Sequence, residues 1–396
     1  MNKKTILDVD FQNKKTILRV DFNVPLKNGQ ITDDNRIVQA IPTISYLLEH
    51  GAKLILLSHL GRVKEEKDLA GKSLEPVAQR LSELLGKPVK FIKDYRGAAV
   101  EDAVRQLKSG EVMMLENTRF ADLDNKAESK NSPELGKYWA GLGEIFVNDA
   151  FGVCHRAQAS NVGIANHLPC VCGFLMEKEI KYLSAAIQNP KRPLVAIIGG
   201  AKVSDKIEVI NNLLKICDYV LVAGGMVYTF AKAQGGKIGK SICEPDKTDL
   251  ALDLLKRGKG KLIVGRDVYT GKDFSNDTEV NLRSVMDIPE DEEGLDCGVE
   301  TLKLFKQYID QANTVIWNGP LGVFELPVFS NGTYKIAEYI AAREGAMTVV
   351  GGGDSAAAIA KANMIEKFTH VSTGGGASLE FFEGKTLPGI ECILDK

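Results

Sequence analysis

Apolar runs of about 5–7 residues alternate along the chain with longer stretches in which apolar positions recur every three or four residues. This is the pattern of buried strands joined by amphipathic helices. The runs are continuously apolar and do not alternate in and out, so both faces of each strand should be covered, as in parallel βαβ sheets. The spacing predicts helices over 36–51, 74–86 and 204–218, the last two closing at Gly86 and Asp218. Pro42 falls near the opening turn of the first, where a proline is tolerated. The stretch 173–193 reads as one helix that stops at Asn189-Pro190, because proline cannot continue a helix and restricts the residue before it.

That helix separates two halves with the same alternation, the second running from Lys191 to His370. The expected fold is α/β: two doubly wound, Rossmann-like parallel-sheet domains joined by a helix, with a cleft between them. The first domain is expected over 1–172, the hinge helix over 173–189 and the second domain over 190–379, with 380–396 packing back onto the first. A chain of 396 residues suits two cores of ordinary size.

The ends of the apolar runs differ between the halves. In the first they read TILRVDFN (16–23), KLILLSHLGR (53–62), VMMLENTRF (112–120) and IFVNDAFGVCHR (145–156). Ligands in open parallel sheets bind beyond the carboxyl ends of the strands. Arg36, Arg62, Arg119 and Arg156, with His59 and His155, are therefore expected to converge on a phosphate and a carboxylate, which paired guanidinium N–H groups fit. Asp21 and Asn23 would accept hydrogen bonds from a hydroxyl, pointing to a small polyhydroxylated or hydroxy-acid phosphate. In the second half the ends are VAIIGGAK (195–202), VLVAGGM (220–226), TVVGGGDS (348–355) and HVSTGGGAS (370–378). Such turns, including Gly200 and Ala201, let backbone N–H groups approach nucleotide phosphates at helix starts. Lys202 and Lys206 are expected on one helix face beside them, and Asp354, followed by Ser355, is the Mg²⁺ candidate.

A formal net charge of −2 lacks the overall positive field on which nonspecific nucleic-acid binding relies. No apolar run approaches the ~20 residues of a membrane helix, and Asp8 and Asp10 interrupt the region a signal peptide would need, so a cytoplasmic protein without membrane or nucleic-acid partners is expected. Seven cysteines without C-x-x-C spacing fit a reducing compartment. His167, Cys170 and Cys172 lie close in sequence but lack a fourth metal ligand, and the cysteines are read as packing residues. His50, His167 and His370 are read as structural. The GKS triplets at 71–73 and 239–241 have Glu66 and Gln234 where a P-loop needs glycine. Gly351 to Ala356 fits the loose dinucleotide pattern G-x-G-x-x-A, but the following strand lacks the acidic residue for the ribose. A dehydrogenase of a small phosphorylated hydroxy acid is thus the second reading.

RVDFNVP (19–25), SHLGR (58–62), ENTRF (116–120), VNDAFG with HRA (147–157), GGAKVSDK (199–206), WNGPLGVFE (317–325), GGGDSAAA (351–358) and STGGGASLE (372–380) together closely resemble the phosphoglycerate kinase family, in order and over essentially the whole chain. The resemblance implies a phosphotransferase with a carboxyl acceptor, interconverting 1,3-bisphosphoglycerate plus ADP with 3-phosphoglycerate plus ATP in glycolysis. It further implies Mg²⁺. Direct in-line transfer is expected from the Lys and Arg residues flanking the path, hinge closure from the binding of donor and acceptor by separate halves, and the protein is expected to be a monomer. By similarity Asp21, Asn23, Arg36, His59, Arg62, Arg119 and Arg156 hold the phosphoglycerate. Lys206, Gly294, Asn318, Glu325 and the turn of Gly352, Gly353, Asp354 and Ser355 match nucleotide-binding positions, with Glu325 near the ribose. Arg36, Lys202 and the turn at Gly374 and Gly375 are assigned by the same resemblance to the transferring group. Cys154, Gln158 and Thr118 depart from the family's usual residues, while Arg119 and Arg156 are retained.

Overall fold

Strands that are apolar on both faces need helices on both sides, and the chain meets that need twice. The computed structural model describes residues 2–396. It divides into a first unit that runs to Lys181 and takes in Thr386–Lys396, and a second over Tyr182–Lys385.

In the first unit the strands Lys15–Arg19, Lys53–Leu57, Val89–Ile92, Val112–Leu115, Ile145–Asn148 and Cys170–Cys172 form one sheet. Across it they are ordered 89–92, 112–115, 53–57, 15–19, 145–148 and 170–172, every neighbouring pair parallel. Helix Asn35–Glu49 lays Ile37, Ile44 and Leu47 into the cluster of Leu18, Leu54 and Leu56. It starts early enough that Pro42 sits in its middle and not near its opening turn. Burial of Ile37 and Ile44 on either side outweighs the one backbone hydrogen bond that proline removes. Helix Glu75–Leu85 closes at Gly86, whose φ of 63° supplies the left-handed cap.

The second unit repeats the plan. Strands Leu194–Ile198, Tyr219–Val222, Leu262–Val264, Thr314–Asn318, Met347–Gly351 and His370–Val371 are ordered 262–264, 219–222, 194–198, 314–318, 347–351 and 370–371, again all parallel. Val195, Ile197 and Trp317 pack there with Phe305 and Ile336. The alternation expected from 191 to 370 is interrupted by a second, mostly antiparallel sheet of Lys237–Ile238, Asp267–Gly271, Asn281–Ser284, Asp287–Ile288 and Glu293–Cys297. From Asp267 onward its strands follow one another through links of two to nine residues, 272–280 carrying Asp273, Asn276 and Asp277, which leave no room for helical crossovers.

In both parallel sheets the chain starts in the middle, winds to one side, then crosses to the other. The crossing point lies between 15–19 and 145–148 in the first, and between 194–198 and 314–318 in the second. Crevices open where neighbouring strands send their connections in opposite directions, so these two points are the places to look for ligands.

The division between the units falls inside helix Phe174–Gln188. Residues 380–385, expected to pack back onto the first domain, belong to the second unit. Phe382 is wholly buried against Gly351, and its carbonyl accepts from Asn212 Nδ2 at 2.8 Å. The return begins at Thr386, after which Asn148 Nδ2 donates to the Gly389 carbonyl at 2.9 Å and the Leu394 N–H to the Cys170 carbonyl at 3.0 Å. Among the described residues no helix is long and apolar enough to cross a membrane.

Helix Pro133–Ala140 crosses the 159–163 segment at a glycine pair: a Cβ on Gly136 would lie 2.7 Å from the Gly163 backbone. Backbone cannot yield as a flexible side chain can. Gly136→Ala should therefore cost roughly 1–3 kcal/mol, read as a lower urea midpoint at unchanged m-value; an unchanged midpoint would show that the crossing is loose.

Candidate active site

At the crossing point of the first sheet, three loops are tied together by hydrogen bonds and a fourth lies beside them. Phe22 N–H donates to Ser58 Oγ at 2.9 Å, and Gly61 N–H to Asn23 Oδ1 at 2.8 Å, tying the 20–23 loop to the 58–62 loop. Asn117, wholly buried, ties the second to the third: its Nδ2 donates to the carbonyls of Leu60 and Lys72, and its Oδ1 accepts from Leu60 N–H and Arg119 N–H, all at 2.8–3.2 Å. Arg119 Nη1 reaches the Gly61 carbonyl at 3.1 Å. From the fourth loop, His155 Nε2 accepts from Arg156 Nε at 3.0 Å.

The structure thus gathers the expected cations. Arg36 pairs with the Asp21 carboxylate, which is held below its ordinary pKa: burial opposes this, and Arg36, His59 and Arg19 outweigh it. Burial lowers the Arg119 pKa, and the nearby charges of Arg156 and Arg62 push the same way. Gly152 is where this crowding needs glycine, since a Cβ there would run into the Asp21 carboxylate. One member was not anticipated: Arg19, at the end of a strand read as core, has no exposed surface. Its Nε donates to Ser160 Oγ at 2.8 Å, its Nη1 to the Val20 carbonyl, and its Nη2 lies 3.3 Å from His59 Nδ1. The only sequence signal was an arginine inside an apolar run.

The crossing point of the second sheet is built from backbone. Gly199 N–H donates to the Asn318 carbonyl at 2.9 Å and Gly200 N–H to the Pro320 carbonyl at 3.1 Å. A Cβ on Gly199 would strike the Gly319 and Pro320 carbonyls, so the two turns approach only because one is glycine. Beside them opens a cavity of about 660 Å³ lined by Gly200, Ala201, Gly224, Gly225, Gly294, Gly322, Glu325 and Asp354. Its apolar walls include Tyr228, Ile242, Phe274, Leu295, Leu321 and Val323. A hollow of about 850 Å³ along the antiparallel sheet is larger, but it lies away from both crossing points and is lined by Lys232, Lys237 and Arg283 together with Asp287 and Glu290, with Gly239 its one glycine among the described residues.

Lys206 Nζ donates to Asn318 Oδ1 at 2.6 Å, and burial lowers its pKa against the opposing pull of Asp205, Asp354 and Glu383. Ser355 is wholly buried, with its hydroxyl accepting from Gly319 N–H at 2.8 Å, so it shapes the neighbouring turn. Gly352 has φ 91° and precedes helix Gly353–Lys361. Gly374 and Gly375 form the turn into helix Gly376–Phe382 and do not line the cavity. Gly294 faces the cavity, and a Cβ there would strike the Tyr228 ring from behind, a steric reason invisible in sequence.

Lys202 and Lys206 do not share a helix face as expected. The helix begins only at Ile207, after both, with Lys206 as its cap. Ser204 is drawn away by Glu244, which accepts from its N–H at 3.0 Å and from its hydroxyl, and this holds 203–206 in a turn. Lys202 is left exposed just ahead of that turn. Among the described residues no three His, Cys, Asp or Glu side chains are grouped to hold a metal. Asp354 offers one carboxylate at the cavity wall, the protein share expected of a Mg²⁺ that is otherwise held by phosphates and water.

Burial, seconded by Arg19, Arg119 and Arg36 and opposed by Asp21, lowers the His59 pKa to about 3. An unfolded histidine titrates near 6.5, so between those values the unfolded chain binds the extra proton and stability falls with falling pH. Asp149 and Asp296, raised by burial to about 6 and about 7, act in the opposite sense, losing stability as pH rises. The difference between wild type and His59→Gln isolates the histidine: that gap in unfolding free energy should shrink by roughly 2 kcal/mol from pH 7.5 to pH 5. Urea titrations at both pH values check it, and a constant gap would contradict it.

Comparison with known proteins bears on both units at once. Residues 6–385 match the family described as phosphoglycerate kinase. The phosphoglycerate kinases of Enterococcus faecalis and Listeria innocua are each 59% identical to this chain, with full coverage of both partners. Among solved structures, the phosphoglycerate kinase of Coxiella burnetii aligns with a TM-score of 0.88 at 41% identity, and that of Pyrococcus horikoshii with 0.85 at 34%, each covering 98% of both chains. Identity at this level over every strand, turn and loop described above leaves one assignment, and the chain belongs to the phosphoglycerate kinase family.

Proposed function

We propose that this protein transfers a phosphoryl group from 1,3-bisphosphoglycerate to ADP, giving 3-phosphoglycerate and ATP, and reversibly so. The observation that carries the reading is the convergence of Arg62, Arg119 and Arg156 from three strand-end loops with Arg36 from the first turn of helix Asn35–Glu49, in a chain that matches this family along its length. Guanidinium groups suit the phosphate and carboxylate of phosphoglycerate, and Asp21, Asn23 and His59 suit its hydroxyl and oxyanions. In the second unit the cavity beside Gly200 and Ala201 takes the nucleotide. Its apolar walls receive the base, Glu325 and Gly294 lie at the sugar, and Lys206, Asn318 and the turn at Gly352–Ser355 lie at the phosphates.

The chemistry asks little covalent work of the protein. A terminal oxygen of ADP attacks the acyl phosphorus, the bond from that phosphorus to the carboxyl oxygen breaks, and the carboxylate leaves. Arg36, Lys202 and the Gly374–Gly375 turn act on the charge of the group in flight. When bound, Mg²⁺ neutralises charge on the nucleotide phosphates, and Asp354 is the residue that would hold it. In-line transfer requires the two ligands to meet with water excluded, so turnover involves bending along the Phe174–Gln188 helix and at the Lys385–Thr386 return. The protein acts in the cytoplasm as a monomer. The dinucleotide reading of Gly351–Ala356 loses its ground, because that turn belongs to the family's own pattern.

ATP-dependent acyl phosphate formation from 3-phosphoglycerate, coupled to its reduction and followed by loss of the nicotinamide absorbance, tests the activity; no turnover would refute it. In that assay Arg36→Ala should lower kcat by ~10²–10⁵, and near-normal kcat with a raised KM would reassign Arg36 to ground-state binding. Asp354→Ala should weaken Mg-nucleotide binding and leave 3-phosphoglycerate binding intact; calorimetric titration of each ligand separately distinguishes this from a general loss of structure.

A further inference from the structure

The residue that controls His59 is Arg19, which the proposed function does not use. Arg19 has no exposed surface, and His59 is 5% exposed. His59 Nδ1 has two charged neighbours: Arg19 Nη2 at 3.3 Å and Asp21 Oδ1 at 3.9 Å. The second is beyond hydrogen-bond reach. A guanidinium has donors only and stays protonated in proteins, so it cannot accept a proton from Nδ1. Nδ1 must therefore be the acceptor. The tautomer follows: in a neutral ring with Nδ1 bare, the hydrogen sits on Nε2, and Nε2 has no protein partner among the described residues.

We infer that Arg19 is a positioning residue that fixes His59 as the Nε2–H tautomer, so that the imidazole presents a donor to an oxyanion of phosphoglycerate. The guanidinium can do this because it is itself held. Nε donates to Ser160 Oγ at 2.8 Å, Ser160 Oγ donates on to Glu128 Oε1 at 2.5 Å, and Glu128 Oε2 accepts the Ser160 N–H at 3.0 Å. Glu128, wholly buried, is the countercharge for Arg19. Nη1 is spent on the Val20 carbonyl, which leaves Nη2 for the histidine. Because a bare Nδ1 facing a permanent cation resists a second proton, the ring stays neutral and its donor is present on both sides of neutral pH. The ligand in this inference rests on the proposed phosphoglycerate activity; the tautomer does not.

The test uses the full-length protein labelled with ¹⁵N, in histidine long-range ¹H–¹⁵N correlation spectra. The chain has five histidines, and His59→Gln assigns the signal. Expected is a His59 Nδ1 in the unprotonated range and a protonated Nε2 from pH 5 to 8. A protonated Nδ1, or an averaged pair of tautomers, overturns the inference without any variant. Arg19→Met combined with Glu128→Gln, so that no carboxylate is left buried alone, should bring both tautomers into exchange. The KM for 3-phosphoglycerate should rise about 10-fold, with the KM for ATP unchanged. Arg19→Lys, which keeps one donor, should restore the tautomer. A folded double variant that keeps the wild-type tautomer and KM also overturns it. Kinase activity absent in wild type, with the tautomer as expected, refutes the proposed activity and the ligand but not the role of Arg19.

Discussion

A guanidinium sealed from water sets the terms for the substrate side of this enzyme. Removing an ion from water costs several kcal/mol, and in the first unit the countercharge of Glu128 and the bridging hydroxyl of Ser160 offset that cost for Arg19. The three residues come from the end of a central strand, from the stretch after the 118–123 turn, and from the 159–163 segment. Satisfying one charge therefore fixes three pieces of chain against each other. Two of them continue directly into the residues that carry Arg119 and Arg156. Such a bridged pair of buried charges is weak as a source of stability, because apolar residues could fill the same space. It is strong as a source of geometry, because each partner tolerates few positions for the other.

The second unit solves a similar problem with little side-chain charge. Where Gly199 and Gly319 meet, carbonyls come closer than a Cβ would permit, and the N–H groups of Gly199 and Gly200 are consumed in holding the Asn318–Pro320 turn. Tyr228 presses on Gly294 from behind. The shape of the cavity thus depends on atoms that are absent, and its polar features are few: Asp354, Glu325 and the nearby Lys206–Asn318 pair. One unit gathers charges and the other shapes a cavity from backbone, although both use the same strand-order reversal in the same kind of sheet.

This difference governs what could be read from the sequence. Arg36, Arg62, Arg119 and Arg156 stood out because charged residues at the ends of apolar runs have few structural reasons to be there. The parallel sheets were legible because strands buried on both faces carry an unbroken apolar signature. The reversal points were not, since strand order is set by crossovers that leave no mark on any single residue. Gly294 and Glu325 were reachable only through resemblance. Arg19 was hidden by its place among Ile17, Leu18 and Val20, where a charge is compatible with the strand only because of partners more than a hundred residues away, Ser160 and Glu128. The antiparallel insertion was missed because its short strands look like interrupted pieces of the surrounding alternation, and the start of the helix at Ile207 was misjudged because Glu244, remote in sequence, captures Ser204.

The cationic pocket also carries an electrostatic cost that the fold alone does not remove. Arg119 is disfavoured as a charge by burial and by Arg156 and Arg62, against the opposing pull of Asp122 and Glu128, and arginine does not give up its proton at any pH the protein meets. Neutralisation, the escape open to a buried lysine or carboxylate, is closed here, so the repulsion persists until an anion enters. Asp21 offsets part of it at Arg36, and Glu128 part at Arg19; among the described residues Arg62 and Arg156 form no ion pair with a carboxylate. An anion arriving there gains the attraction of several guanidinium groups and relieves their mutual repulsion at the same time. The binding free energy and the stability of the first unit are therefore coupled, each drawing on the same unsatisfied charge.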